Sequence, residues 1–497
     1  MAGKWRNIPK IPELRRRILF SLALLAIYRI GVFITVPGVD RTAMSEMMAA
    51  DDGGGGVLGL VNLFTGGALE LMSIFALGIM PYISAAIIMQ LLTVVVPTIE
   101  RLKKEGEAGR KKVNQYTRYG TVLLGIIQGF GISMYLENMH SQNPEMGLLL
   151  NPGWGFRLLT VLTLTAGTIF VMWLGEQISE RGVGNGISIV ITASIIAFFP
   201  SAVFQTYTSY QTGAMSTFAI GALIFVIIAA ITFTTFMETA QRRIPLQYAK
   251  RMVGRKIYGG QTHHLPLRVN MAGVIPPIFA MSIMMAPSTI ASYFDHHAIG
   301  QAMQQIFMPG DWRYNIFYAL AVIFFCFFYT AVQVNPMDIA DNLKKSNAFI
   351  PGIRPGKKTA EYIDHSLTRL TAAASAYVAA VCILPYFLID EFGVDFYFGG
   401  TGLLIIVIVG IDTLNDVENH LITRHYEGFG SGPGGGEEGG GAIAGRSPDD
   451  GAGGGGIAGR GPEDDQSGGI AGRGETDFEP SDTDFEPSDP DFDDDDR

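Results

Sequence analysis

Apolar residues in this chain run together instead of alternating or forming stripes. Ten long stretches result, at roughly 18–36, 72–96, 116–136, 157–175, 187–204, 217–237, 269–290, 314–334, 371–389 and 401–421. A helix that crosses a bilayer needs about 20 mostly apolar residues. The pattern predicts an all-α membrane protein of ten transmembrane helices. The tenth stretch is the weakest, because Asp412, Asp416 and Glu418 interrupt its second half. An eleventh apolar segment, 56–68, is punctuated by glycine, too short to cross, and followed directly by a full span. It reads as re-entrant. Non-helical backbone at membrane depth is tolerated only where protein or a water-filled cavity surrounds it, so the segment predicts a cavity that contains it.

The charges between the stretches set the orientation. The N-terminus and the segments 97–115, 176–186, 238–268 and 335–370 hold 26 Lys or Arg, against 2 in 37–71, 137–156, 205–216, 291–313 and 390–400. Basic residues stay cytoplasmic in short loops, which places both termini in the cytoplasm. The basic start leads into an apolar run that lacks a small-residue cleavage site, so the first span reads as retained and not as a cleaved signal. Loops 238–268 and 335–370 are long as well as basic. One reading is a topology signal with attraction to anionic lipid. Connections of about 2–8 residues suffice between helices, however, so the length favours a docking surface for a charged partner such as ribosomal RNA or an acidic protein.

Composition sharpens this picture. The 497 residues are 48% hydrophobic and 16% charged, with mean hydropathy +0.27, where a soluble chain carries about 25% charged residues. The net charge of -10 joins two unlike parts: Ser431–Arg497 has 19 acidic and 4 basic residues, while the remainder is net basic. That tail repeats IAGR and FEPSD in a Gly-rich, acidic context and ends DFDDDDR. Nothing in it can bury a core, and it reads as disordered. Two roles stay open for it: a solvated tail without specific function, or an acidic segment that folds back on the basic loops.

Enzymatic and transport chemistry finds little footing. HExxH, GxSxG and Walker sequences are missing, and Gly106–Lys111 lacks the GK[ST] ending that would cradle a phosphate. The pairs His263–His264 and His296–His297 lie on opposite sides of the membrane with no further His or Cys near in sequence, so neither metal nor cofactor is expected. Cys326 and Cys382 sit in apolar runs without CxxC spacing and read as buried thiols. Charges in the spans are few: Arg29 lies in the first, Glu176 at the end of the fourth, and the acidic group of the tenth near its cytoplasmic end; for Arg29, snorkelling or a neighbouring partner is the better reading than ion gating. A secondary transporter would show a compact polar site at the midplane and short loops, and an intramembrane enzyme would show a dyad or metal ligands within spans. Isoleucines recur four apart at 79 and 83 and at 187 and 191, and others stand at similar depth, at 278 and 405. Spacing alone favours ordinary core or lipid-facing residues there, although hydrophobic constrictions can close a pore by dewetting.

Several long segments resemble the SecY/Sec61-alpha family of translocon channel subunits. They are Leu77–Leu92 (LGIMPYISAAIIMQLL), Trp173–Ser188 (WLGEQISERGVGNGIS), Arg242–Arg251 (RRIPLQYAKR), Leu265–Phe279 (LPLRVNMAGVIPPIF), Asn335–Asp364 and Gly399–Val407 (GGTGLLIIV). They occur in family order and cover nearly all of residues 1–430; the tail from Ser431 departs from the pattern. The resemblance implies two pseudo-symmetric halves, 18–206 with spans 1–5 and 217–430 with spans 6–10, after a cytoplasmic N-terminus 1–17. It makes the re-entrant segment, about 56–69, a plug with Leu60, Asn62, Phe64, Gly66 and Gly67. By motif position it makes Ile79, Ile83, Ile187, Ile191, Ile278 and Ile405 a pore ring, reversing the reading from spacing.

The same resemblance implies a lateral gate between spans 2 and 7, for which Ser84, Gln90 and Ser282 are candidates, with Pro276 and Pro277 easing a bend in span 7. It implies docking through Arg242, Arg243, Arg255, Arg354 and Lys357. The implied partners are SecE and SecG, the SecA ATPase or a translating ribosome, signal peptides and secretory chains, membrane lipid, and SecDF and a YidC-type insertase. The implied activity is passage of unfolded polypeptides across the bacterial plasma membrane and sideways release of transmembrane segments, without hydrolysis by the channel itself.

Overall fold

The computed structural model describes residues 12–50, 62–213, 215–248, 251–253, 256–258, 262–292, 311–392 and 400–430. The chain divides into the units Met1–Gly432 and Pro433–Arg497. Leu60, Arg255, the pair at 296–297 and the tail lie outside the described residues.

The first unit is built on helices: α1 (Pro12–Gly31), α2 (Arg41–Ala50), α3 (Met80–Val95), α4 (Pro97–Lys104), α5 (Glu107–Gln142), α6 (Trp154–Arg181), α7 (Gly186–Ala197), α8 (Phe199–Gln211), α9 (Thr217–Thr239), α10 (Ile275–Ser292), α11 (Trp312–Gln333), α12 (Pro336–Lys345), α13 (Lys357–Phe392) and α14 (Gly400–Gly430). Each of the ten predicted stretches falls on helix. Among the described residues seven spans are long and apolar enough to cross a bilayer, and an eighth counts if α3 and α4, bent by 99°, are one span. Pro97 opens α4 at that bend, where its missing N–H and fixed φ cannot continue α3.

Side chains start several helices where the backbone N–H groups lack partners. Asn185 accepts from the N–H of Ile187 at 3.1 Å and opens α7. Ser216 caps α9, Asp311 caps α11 and Asn335 caps α12. The fifth stretch is two helices, not one, because Pro200 sits in the first turn of α8. The second helix begins at Met80 rather than near 72. The residues before it are used otherwise: Val36 donates to Met72 O at 2.9 Å and Ile74 to Ile34 O at 2.9 Å, a short strand-like pairing that returns the re-entrant segment to α3.

Close approach is needed where α6 meets α7. A Cβ on Gly186 would stand 2.0 Å from the carbonyl oxygen of Gly175, so only glycine fits.

The two long basic loops carry secondary structure that a reading of apolar runs does not address. They contain β1 (Gln241–Tyr248), β2 (Arg251–Val253), β3 (Lys256–Tyr258), β4 (Thr262–Arg268) and β5 (Ala348–Phe349). β4, β1 and β5 form one antiparallel sheet in that order, with Ile244 opposite Leu265 and Tyr248 opposite Ala348. Along β1, Ile244 and Leu246 are buried while Arg242, Arg243 and Gln247 are exposed, the alternation of a half-buried strand. The inward residues meet Leu267, Ile350, and Ile363 and Leu367 of α13 in a core of their own.

Candidate functional site

The largest apolar core joins both halves of the helical unit. Ile79 and Ile83 come to it from the start of α3, Ile191 from α7, Ile278 from α10 and Ile405 from α14, all buried; Ile187 packs against its edge. Four helices far apart in sequence thus bring the six isoleucines to one cluster. Leu63 and Phe64 of the re-entrant segment lie in the same cluster, buried at 5% and 4% exposure. The spacing four apart within α3 and α7 puts each pair on one helix face.

The re-entrant segment is described from Asn62, helical over 62–65 and then turning. Gly66 and Gly67 take left-handed backbone, φ +70° and +86°, which glycine alone adopts without strain. Asn62 fixes the turn: its Nδ2 donates to Glu70 Oε2 at 3.1 Å, and its Oδ1 accepts from the Glu70 N–H at 3.0 Å. Arg29, the charge in the first span, does not stand alone. Its Nη1 donates to the Gly66 carbonyl at 2.5 Å, and its guanidinium lies 5.3 Å from the Phe33 ring centre. Glu176 is paired too, with Arg118 on both oxygens at 2.9 Å.

At the seam between α3 and α10 the candidate polar residues behave differently from one another. Ser84 is half-buried on α3. Ser282 Oγ donates to Ile278 O of its own helix at 2.9 Å. Gln90 is half-buried on α3, and Tyr329 of α11 packs edge-on against Phe279 of α10 with ring centres 6.3 Å apart. Sequence reasoning missed Tyr329, since one tyrosine in an aromatic run carries no local signal.

A polar knot was also missed. Glu238 at the end of α9 accepts from Asn270 Nδ2 at 2.7 Å and from the Tyr377 hydroxyl of α13. Asn270 Oδ1 in turn accepts from the Gly273 N–H at 3.0 Å, just before α10. An acid closing an apolar run, and an asparagine in VNMAG, were the available signals.

The basic candidates are exposed on two segments that the sheet links. Arg242 and Arg243 are exposed on β1, and Arg354 and Lys357 are exposed beyond β5. Pairing of β5 with β1 brings the two distant loops together. The Arg354 carbonyl accepts from Thr359 Oγ1 at 3.0 Å, holding that turn to the start of α13. Among the described residues no three His, Cys, Asp or Glu are grouped to hold a metal ion.

Comparison with known proteins places this arrangement. A family model described as SecY matches residues 73–414. The chain is 50% identical over 419 residues to the protein translocase subunit SecY of Escherichia coli K12, covering 84% of this chain and 93% of that one. Among solved structures it is similar to a protein conducting channel, with TM-score 0.59 at 16% identity over 85% of this chain and 98% of that one. It is also similar to Sec61 of the canine ribosome–channel complex from the endoplasmic reticulum, with TM-score 0.54 at 16% identity, again over 85% and 98%. The structural likeness is one of fold.

Proposed function

This chain belongs to the SecY family, and from that premise we propose that it is the protein-conducting channel of a Sec translocon. Unfolded secretory chains pass between its two halves, and transmembrane segments leave sideways. One observation carries the reading: Ile79, Ile83, Ile187, Ile191, Ile278 and Ile405 converge from four helices on the cluster that also holds Leu63 and Phe64.

A narrow collar of branched apolar side chains offers water and ions no hydrogen bonds, so it resists hydrated ions by dewetting. An extended polypeptide can still slide through, because the collar makes no specific polar contact that would select one sequence. The segment about 56–69 seals the resting pore as a plug, with Asn62, Phe64, Gly66 and Gly67 in its described part. Opening toward lipid runs along α3 and α10, near Ser84, Gln90 and Ser282; interhelical polar contacts of about 0.6–2 kcal/mol are weak enough for a signal sequence to part.

The basic face of Arg242, Arg243, Arg354 and Lys357, with Arg255, receives the SecA ATPase or a translating ribosome. SecE and SecG complete the complex, with SecDF and a YidC-type insertase as further associates. Both termini face the cytoplasmic side of a bacterial plasma membrane, a reading that the 26 to 2 split of basic residues supports. The channel is no enzyme; SecA with ATP, translation, or the proton-motive force drives movement. The complex reconstituted in vesicles with SecA and ATP is expected to bring a secretory precursor into a protease-protected state. Failure to protect any precursor would contradict the reading.

A further inference from the structure

Resting on the plug reading, we propose that Tyr28, Arg29 and Ser194 form a polar latch that holds the plug in place and releases it when the ring widens. Tyr28 is buried in α1 at 2% exposure, and Ser194 in α7 at 1%. The two hydroxyl oxygens lie 2.8 Å apart. Tyr28 Oη donates to the Thr65 carbonyl at 3.1 Å, and Arg29 Nη1 donates to the next carbonyl, that of Gly66. Ser194 Oγ also lies 3.0 Å from the Val190 carbonyl of its own helix, so its one proton is shared between that carbonyl and Tyr28 Oη, while the Tyr28 proton goes to Thr65.

The donors address main-chain oxygens, so they hold the backbone path and not one side chain. They act where the described plug helix ends and the left-handed turn at Gly66 and Gly67 begins. The fit is tight: a Cβ on Gly66 would meet Ser194 Cα at 3.1 Å and Arg29 Nη1 at 3.3 Å. Pivoting the plug about Gly66–Gly67 must break the Tyr28–Thr65 bond and the Asn62–Glu70 pair. The release follows from the sequence of α7. Ile191 and Ser194 are three apart on it, and both are buried in it. A chain that pushes α7 outward at Ile191 therefore also draws Ser194 away from Tyr28 and from Gly66, against which Ser194 packs, so the turn loses its support on α7 and the plug can pivot off the Tyr28 and Arg29 donors. The donors are then left to channel water, which makes the latch a bias toward closure and not a lock.

The test uses the complete complex in vesicles, with Tyr28→Phe and Arg29→Gln made separately. The readouts are resting halide efflux and translocation of a precursor with a defective signal sequence. We expect each variant to raise resting efflux about tenfold, equal to about 1.4 kcal/mol, and to translocate the defective precursor that wild type rejects. Tyr28→Phe removes one oxygen and keeps the ring, so it carries the test even if Arg29→Gln fails to assemble. Efflux within twofold of wild type and unchanged rejection of the defective precursor, in an assembled Tyr28→Phe complex, would overturn the latch. If wild type moves no precursor at all, the channel reading fails instead.

Discussion

Asn270 donates its side-chain amide to the Glu238 carboxylate at 2.7 Å, and that contact ties the end of α9 to the entry of α10. The Tyr377 hydroxyl of α13 donates to the same oxygen, so three elements of the C-terminal half share one acceptor. A buried donor left without its acceptor costs about 1–3 kcal/mol. Glu238→Ala leaves the Tyr377 hydroxyl without its acceptor, while the Asn270 amide keeps the Gly273 carbonyl, and should lower the apparent melting temperature of the detergent-purified complex by several degrees. Glu238→Gln, which keeps an acceptor oxygen, should lose less. Equal melting of wild type and Glu238→Ala would show that the knot contributes nothing.

Gly186 allows α7 to lie against α6, because any side chain there would collide with the Gly175 carbonyl at 2.0 Å. Backbone cannot yield as a flexible side chain does, and overpacking costs about 1–3 kcal/mol or more. Gly186→Ala should therefore reduce the steady-state level of the protein and displace Ile187 and Ile191. Normal accumulation and normal translocation in a Gly186→Ala strain would contradict the packing argument.

The isoleucine collar predicts a specific failure when made polar. Ile83→Ser or Ile278→Ser offers water a hydrogen-bonding partner at a buried position in the central cluster. Either should raise resting ion flux in vesicles severalfold, while Leu162→Ser at an outward-facing position leaves it unchanged. Flux that rises equally for all three would indicate general loosening instead of a gated constriction.

Charge reversal tests the proposed docking surface. Arg243→Glu and Arg354→Glu each change the charge by two units at an exposed position, one on β1 and one in the turn beyond β5. Binding of SecA should weaken about tenfold at low salt, and the loss should shrink as ionic strength rises, since a surface charge is screened beyond about 10 Å at 0.1 M. A loss that does not depend on salt would point to a folding defect.

Much of this protein was legible in its amino-acid sequence, and the physical reasons are plain. Helices crossing a bilayer announce themselves by length and hydropathy, so all ten stretches fall on helices. The differences of detail lie where local chemistry overrides hydropathy, as where Pro200 splits the fifth stretch. The start of α3 moved to Met80 because residues 34–36 and 72–74 pair, a contact between separated segments. The basic loops proved to hold a sheet because Ile244 and Leu246 alternate with exposed residues over a span too short to stand out. Individual pairs, such as Tyr28 with Thr65 or Glu238 with Asn270, were illegible because they join residues 37 and 32 positions apart, and no single sequence records which buried polar groups meet.

The most direct measurement is a crosslink from the collar to a moving chain. Cys326 and Cys382 are the free cysteines of the structure, both buried, and are replaced first. A single cysteine is then placed at Ile79 or Ile278, and a secretory chain with its own cysteine is stalled in transit. A disulfide to the stalled chain from either collar position, lost when the cysteine is moved to outward-facing Leu162, is the predicted result. No disulfide from Ile79 or Ile278 while translocation remains intact would contradict the central claim that the polypeptide passes through the isoleucine collar.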